Sequence, residues 1–234
     1  MTASQDLAIE LAAMRRLHLV ATRLIEDSSF HALLGEILDA ALDVVGGVKG
    51  TIQLFDSQCF ALRLVVQRGF DDDFVREFQL VKGGEGTCGT AMREGRRVVV
   101  EDATTNPLFE QYRKLVIAAG FKGVQSTPLV SREGELLGML STYFDDPAAP
   151  TDCELRVLDL LARQAADFIE RTRSIEAVKA AASRTVRLQQ LTTVLADAVT
   201  PQDAARAIGR EASDALGAAA AVVWLLTGDG RRLE

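Results

Sequence analysis

The spacing of apolar residues along the chain changes from a helical period to an extended one near residue 50. Before that point the pattern predicts two helices. Apolar positions three and four apart predict the first over about Asp6–Glu26, and the second is predicted over Phe30–Val45, where Gly46-Gly47 would end it. The stripe of the first helix consists of Leu7, Leu11, Met14, His18, Ala21 and Ile25.

Two pairs of segments with alternating polarity follow, and each pair predicts a β-hairpin. Thr51–Phe55 and Phe60–Val66 flank a short polar turn. Val124–Val130 and Glu135–Phe144 are joined through a Glu-Gly turn. Because proline cannot donate a ladder hydrogen bond, Pro128 predicts a bulge or an edge position within its strand.

A single long helix is predicted after the second hairpin. Thr151 and Glu154 have the spacing of a capping box, and no proline or glycine follows until Pro201, so the helix should run for about 45–50 residues. Its first part would pack on the sheet or on a partner helix. The part beyond it has two possible interpretations, a solvated connector or a parallel coiled-coil signalling helix. The coiled coil is favoured, because a lone polar helix is marginal in water. The thinner stripe there consists of Ile175, Val178, Ala182, Thr185 and Leu188.

The beginning and the end of the chain resemble each other. Shifting the N-terminal helices by 171 positions aligns them with the C-terminal segment without a gap, and the segment Ala221–Leu226 then corresponds to the first strand. We therefore predict one domain over residues 1–170, the long helix over 151–199, and the truncated start of a second copy over 187–234. Matching pairs include Leu17 with Leu188, Ile37 with Ile208, and Gly46 with Gly217.

Composition and charge exclude several classes of partner. The 234 residues are 48% hydrophobic and 25% charged, with a formal net charge of −7, which argues against nucleic-acid and anionic-membrane partners. No apolar run approaches the ~20 residues that a transmembrane helix needs. Cys59, Cys88 and Cys153 are too far apart to predict a disulfide framework or a zinc site. We expect a reduced, cytoplasmic protein with no metal and no evident cofactor.

The segment Gly83–Phe144 carries the most specific motifs. It combines the glycine-rich turn GEGTCGTAMREG, the strand VVVED and the run NPLFEQYRKLVIAAGFKGVQSTPLVSREGELLGMLSTYF. In this order, between two helices and a long closing helix, the motifs resemble a bacterial GAF domain over about Leu17–Glu170. The resemblance implies an α+β, PAS-like fold. A central antiparallel sheet of about six strands would carry dimer-forming helices on one side and a ligand pocket on the other.

The resemblance is strongest to GAF domains of sensor histidine kinases and related signalling proteins. It implies a sensory module that binds an unidentified small molecule, forms a homodimer and signals through paired helices to a downstream output domain in the same polypeptide. A ligand-free structural dimerisation module is the alternative. The signatures of GAF domains that bind cyclic nucleotides, bilin or haem are missing. Free-methionine-sulfoxide reductases resemble the chain at Cys88 but need a further cysteine before the GVQSTPLV strand, so a redox enzyme is a minor alternative and the chain is not expected to be an enzyme.

The predicted pocket combines apolar walls with hydroxyls and an amide, and a filled core without a ligand is its alternative. Cys88 is interpreted as a small buried residue, although a helix start would lower its thiol pKa. Asp71-Asp72-Asp73 is interpreted as helix-capping acids. The pocket is predicted from Phe70, Thr87, Cys88, Phe109, Tyr112, Phe121, Gln125, Thr127, Met139 and Tyr143. The dimer interface is predicted from Leu7, Leu11, Met14, His18, Ala21, Leu158, Leu161, Ala165, Phe168 and Ile175.

Overall fold

The computed structural model describes residues 30–147, 149–196, 200–216 and 219–225. The chain divides into two compact units, with the boundary after Thr172. The predicted N-terminal helix, and with it Leu7, Leu11, Met14, His18 and Ala21, lies outside the described residues. The elements in chain order are α1 (Phe30–Val45), β1 (Lys49–Asp56), β2 (Ala61–Arg68), α2 (Asp72–Glu77), β3 (Leu80–Lys82), α3 (Gly86–Glu94), β4 (Val98–Val100), a 3₁₀ turn (Pro107–Phe109), α4 (Arg113–Ala119), β5 (Gly123–Val130), β6 (Leu136–Phe144), α5 (Asp152–Ala196) and α6 (Pro201–Leu216).

The first unit is built on a six-stranded antiparallel sheet with the order β3-β2-β1-β6-β5-β4. Both predicted hairpins are confirmed as β1–β2 and β5–β6. The edge prediction for Pro128 is also confirmed, because β4 pairs with β5 only as far as Ser126 and leaves the strand uncovered at Pro128. The predicted fold class, a central antiparallel sheet of six strands with flanking helices, is therefore confirmed.

One face of this sheet, which we call the long-helix face, is covered by α1 and the first part of α5. Successive residues of a strand point to opposite faces, so β1, β2, β5 and β6 each contribute the side chains of one face to this core. The apolar stripe of α1, from Leu33 to Val45, packs onto the same core and explains why α1 forms against this face. The strand residues that it buries are Ile52, Val66, Leu129, Leu137, Leu140 and Phe144.

Helix α5 begins at the predicted capping box and has the predicted length. Glu154 N donates to Thr151 Oγ1 at 3.3 Å, while Thr151 N donates to Glu154 Oε2 at 2.7 Å. The helix then continues for 45 residues. None of the described helices combines the length and the apolar character that crossing a membrane requires.

The prediction that Leu158, Leu161 and Ala165 form a dimer interface needs correction. Leu158, Leu161 and Ala165 are at most 1% exposed, because they pack inside the protomer against α1 and the sheet. Phe168 is half-buried and stacks on Phe30, with 5.4 Å between ring centroids. Of the predicted interface residues in α5, Ile175 alone is exposed, at 46%. Leu158, Leu161 and Ala165 are therefore not available to a second chain, whereas Leu160 of the same part of α5 is 51% exposed.

The second unit contains the rest of α5, followed by α6. Thr200 caps α6, because Asp203 N donates to Thr200 Oγ1 at 3.2 Å. The strand predicted at Ala221–Leu226 is not present in the described residues, since 221–225 have no regular structure there. A strand needs a hydrogen-bonded neighbour, and the described part of this unit supplies none. The predicted second copy of the domain stays a prediction.

Candidate functional site

The face of the sheet opposite α5 is covered by α2, α3 and α4, and we call it the short-helix face. It brings together eight of the ten predicted pocket residues. Tyr112 packs against its core, and Thr87 is joined to β5 by a hydrogen bond from Ser126. The other six are buried in one cluster: Phe70, Cys88, Phe109, Phe121, Met139 and Tyr143.

The other two predicted pocket residues, Gln125 and Thr127, lie on the long-helix face instead. They alternate along β5 with Ser126, which faces Thr87 on the opposite side. Thr127 Oγ1 donates to Gln125 Oε1 at 2.8 Å, and Gln125 Nε2 donates to Thr142 Oγ1 at 3.1 Å. Their side chains are satisfied by each other, by Thr142 and by a neighbouring arginine, so these two residues do not line the pocket.

Aromatic rings fill much of the short-helix face. Phe70 and Phe74 stack with centroids 3.7 Å apart, and Tyr143 meets Phe70 edge to face at 4.9 Å and Phe121 at 4.8 Å. Phe74 and Phe78 were not among the predicted pocket residues. Phe70, Phe74 and Phe78 follow one another at a spacing of four, which is the sequence signal that could have added them, because it puts all three rings on one side of α2 and its flanks.

A row of neutral polar side chains crosses the short-helix face beneath α3. Ser126 Oγ donates to Thr87 Oγ1 at 2.9 Å and lies 2.7 Å from Ser141 Oγ, so Ser141 must be the donor in the second bond. The row continues into β1, where Thr51 is paired with Ser141 and Gln53 with Met139. Sequence reasoning missed both β1 residues, although their alternation with buried Ile52 was a usable signal.

Thr51 and Gln53 each carry an enclosed oxygen without a hydrogen-bond partner. Thr51 Oγ1 and Gln53 Oε1 are these atoms, and each residue is only 2% exposed. Thr51 comes near enough to the Tyr143 phenol to affect its pKa, but not in a geometry that makes a hydrogen bond. Burial dominates at Tyr143 and raises the pKa of its phenol. Both unpartnered oxygens lie on the face where the pocket is predicted.

Cys88 lies in the first turn of α3 and is only 4% exposed. Burial raises the pKa of its thiol to about 11, against a lowering by backbone hydrogen bonds. The lowering expected from the helix start is therefore outweighed by the loss of solvation, and the interpretation of Cys88 as a small buried residue agrees with the structure. The negative charge of Glu85 raises the pKa further. At neutral pH this thiol stays protonated and is a poor nucleophile.

The difference in exposure between Cys59 and the two buried cysteines predicts how fast each thiol reacts. Iodoacetamide at pH 8 should alkylate exposed Cys59 rapidly in the folded protein, while buried Cys88 and Cys153 should react only after unfolding. Peptide mass spectrometry of timed samples measures all three sites in one experiment, with Cys59 as the internal control. Alkylation of Cys88 at the rate of Cys59 would contradict the buried, protonated thiol.

Arg97 joins the sheet to α5 on the long-helix face. Its Nε donates to Thr127 Oγ1 at 2.8 Å, and its Nη2 donates to Leu155 O at 3.3 Å and to the carboxylate of Asp159. One guanidinium therefore holds both β5 and the first turns of α5. Thr127 in turn leads through Gln125 to Thr142 in β6. These two strands also carry the polar row on the opposite face.

The glycine-rich turn allows α3 to approach the sheet closely. A Cβ atom at Gly89 would overlap the carbonyl oxygen of Lys82 in β3, and Gly84 N donates to Gly89 O at 2.8 Å. Glu85 Oε2 accepts from Lys82 N at 2.7 Å, so the turn satisfies its own polar groups. These contacts give the turn a packing role that holds α3 over the polar row.

No group of three or more histidine, cysteine, aspartate or glutamate side chains in the described residues could hold a metal ion. Asp71 Oδ1 accepts from Phe74 N at 2.9 Å, which confirms the capping interpretation of the acidic triplet.

The model of the GAF domain family matches residues 27–170. The chain belongs to the GAF domain family. The match includes the whole sheet, α1 to α4 and the buried part of α5, so both faces described above belong to the GAF domain. It confirms the resemblance that the motifs of Gly83–Phe144 indicate.

Three comparisons place the GAF domain among known proteins. The chain is 31% identical over 98 residues to a methyl sulfide methyltransferase-associated sensor from Methanosarcina acetivorans; the aligned part is 42% of this chain and only 10% of that protein. A solved domain from Sinorhizobium meliloti, whose parent is described as a two-component sensor histidine kinase, is 23% identical to this chain, and the two structures superpose with a TM-score of 0.56. The superposition covers 65% of this chain and 99% of that domain. Free methionine-R-sulfoxide reductase from Neisseria meningitidis is 19% identical, with a TM-score of 0.59. That superposition covers 75% of this chain and 96% of the enzyme. The two structural likenesses establish the fold.

Proposed function

We propose that this GAF domain is the sensory module of a signal-transduction protein, most similar to those of sensor histidine kinases. It binds a small molecule on the short-helix face, works as a homodimer in the cytoplasm, and passes its state through α5 to an output domain in the same polypeptide. The names of the Methanosarcina and Sinorhizobium relatives support this class of function.

The observation that carries the proposal is the double role of α5. Its first part is a buried component of the GAF core, with Leu158 and Ile169 fully enclosed. The same helix continues beyond the GAF domain, where Val178 is 69% and Val186 51% exposed. A change in the packing of the sheet therefore acts directly on a helix that leaves the domain, which is the arrangement that transmission by helix movement requires.

A ligand-free dimerisation module is the second candidate. The observation in its favour is the dense aromatic packing on the short-helix face, where the rings of Phe70, Phe74 and Phe121 contact one another. Binding of a small molecule there would decide between the two candidates. A redox enzyme is disfavoured, because the thiol of Cys88 is buried and its pKa is raised to about 11.

The homodimer predicts a definite mass in solution. Light scattering at tens of micromolar should give twice the chain mass of 25.3 kDa. Replacing Val178 by glutamate should weaken the dimer by about tenfold or more, because it puts charge into the exposed apolar stripe of α5. Ala180→Glu is the matched control, since it also replaces a neutral residue by glutamate, two positions away and outside the stripe, and should leave the dimer intact. A wild-type monomer at this concentration would refute signalling through paired helices.

A further inference from the structure

Two enclosed oxygens on the short-helix face have no hydrogen-bond partner within the protein. Thr51 Oγ1 and Gln53 Oε1 are two residues apart on β1 and point to the same side of the sheet. Their neighbours in the polar row are bonded to each other. Buried polar groups are almost always hydrogen-bonded, so an unpartnered pair on one face calls for a specific explanation.

The orientation of the Gln53 amide defines what its partner must be. Its Nε2 lies 3.5 Å from Phe78 O, a backbone carbonyl that can only accept a hydrogen bond. The amide nitrogen must therefore face Phe78, which fixes the carbonyl oxygen on the other side. Because Gln53 Oε1 can only accept, its missing partner is a donor. Thr51 Oγ1 can both donate and accept.

The surroundings of these oxygens decide the charge of a ligand. No charged side chain is buried among the described residues. Two carboxylates act on this core: besides burial, Glu85 raises the pKa values of Cys88 and Tyr112, and Glu77 raises that of Tyr112. These carboxylates repel an anion. A cation in the interior would lack a buried counter-ion, and an unpaired buried charge is strongly unfavourable.

We infer that the short-helix face binds an uncharged molecule that donates a hydrogen bond to Gln53 Oε1 and is bonded to Thr51 Oγ1, with an apolar body against the aromatic rings. A primary amide has this chemistry, since its N–H group serves Gln53 and its carbonyl serves the Thr51 hydroxyl. The inference rests on the proposed function, which places a small ligand on this face, and adds its chemical class.

Three probes of equal shape test the class. Benzamide is neutral, benzoate is its anionic counterpart and benzamidinium its cationic one. Binding is followed by NMR of the protein labelled with ¹³C in the methionine methyl groups, because Met139 is paired with Gln53 and Met92 of α3 lies in the same core. Benzamide should shift both methyl signals in a saturable way and bind at least about tenfold more tightly than either charged probe.

Two variants of matched shape test whether Gln53 Oε1 and Thr51 Oγ1 bind the ligand. Gln53→Met and Thr51→Val remove the unpartnered polar groups and keep the side-chain volume. Thr51→Val should raise the melting temperature by about 2–4 °C, because an unsatisfied group is replaced by an apolar one. Gln53→Met also removes the bond from Nε2 to Phe78 O, so its melting temperature is not diagnostic. Each should also weaken benzamide by about tenfold, the loss of one hydrogen bond. Gln58→Met, in the exposed turn after β1, is the control and should change neither quantity.

Three results would contradict the inference, and each contradicts a different part of it. A lower melting temperature of Thr51→Val would mean that a structural water already satisfies its oxygen, and would overturn the inference. Tighter binding of benzoate or benzamidinium would overturn the chemical class and leave a ligand site in place. Failure of all three probes to shift Met139 would overturn the inference as well, while the dimer, which light scattering measures separately, would still stand or fall by itself.

Discussion

Replacing Gly89 by alanine is expected to destabilise the GAF domain by about 2 kcal/mol or more. The new Cβ would overlap the carbonyl oxygen of Lys82 and lie 3.1 Å from Gly84 N, and both are backbone atoms that cannot rotate away. Overpacking of this kind costs about 1–3 kcal/mol and sometimes more. The gain in helix propensity from glycine to alanine is only about 0.5–1 kcal/mol, so the overlap dominates.

Thermal unfolding followed by circular dichroism measures this effect. A loss of about 2 kcal/mol corresponds to a melting temperature lower by about 4–8 °C for a domain of this size. Gly83→Ala is the matched control in the same turn, because its Cβ would have only Met92 Cε within 4 Å, at 3.5 Å, an ordinary contact. Equal melting temperatures of Gly89→Ala and Gly83→Ala would contradict the close approach of α3 to β3. If α3 moves outward in Gly89→Ala, alkylation of Cys88 should also become faster.

Replacing Arg97 by alanine is expected to release the first turns of α5 from the sheet. Arg97 is largely buried, with 20% of its side chain exposed, and its hydrogen bonds to Thr127 and Leu155 involve a charged donor. Hydrogen bonds to charged groups contribute about 1.5–3 kcal/mol, so a loss of about 2 kcal/mol is expected. The ion pair with Asp159 adds little, because Asp159 is 60% exposed and solvent screens the pair.

The neighbouring arginine provides the control for this variant. Arg96 is 71% exposed and pairs with Glu94 at the surface, so Arg96→Ala should change stability by less than about 0.5 kcal/mol. Thermal unfolding distinguishes the two variants directly. Hydrogen–deuterium exchange should also rise in the peptide covering 152–162 of Arg97→Ala and stay unchanged in Arg96→Ala. If both variants behave alike, Arg97 does not join α5 to the sheet.

Local signals in the sequence were sufficient for most elements. The stripe of α1, the two hairpins and the capping box of α5 each depend on residues a few positions apart, and all were predicted correctly. The sheet of about six antiparallel strands followed from the family resemblance, and not from these signals, while the order of its strands was not predicted. The absent strand at 221–225 shows the limit, because an alternating apolar segment becomes a strand only when another strand is beside it.

The site could be predicted only in part, because residue type does not fix the face of a strand. Gln125 and Thr127 were chosen for their polarity, while Ser126 between them is the residue on the short-helix face. An apolar helix stripe is similarly ambiguous: Leu158 and Leu161 pack on their own sheet, although the same spacing would suit a partner helix. Arg97 could not be predicted at all, since its contacts in α5 are 58 and 62 residues away in the chain.

The two hydrogen-bonded networks of β5 and β6 explain how the sheet could transmit a signal. Ser126 belongs to the network of the short-helix face, and its neighbours Gln125 and Thr127 belong to the network that ends at Arg97 and α5. A ligand that shifts Ser126 must shift these neighbours, because they share one strand. For this coupling to work, α5 must have two arrangements relative to the sheet, and the ligand must bind to the protein more tightly in one arrangement than in the other.

Hydrogen–deuterium exchange of α5 in the presence of benzamide tests this central claim most directly. Peptides covering 152–170 are followed in the wild-type chain and in Arg97→Ala, each with and without saturating benzamide. We expect benzamide to protect β5 and β6 in both proteins, and to change the exchange of 152–170 in the wild type alone. Protection of β5 and β6 with no change in wild-type α5 would contradict a sensory role that works through this helix.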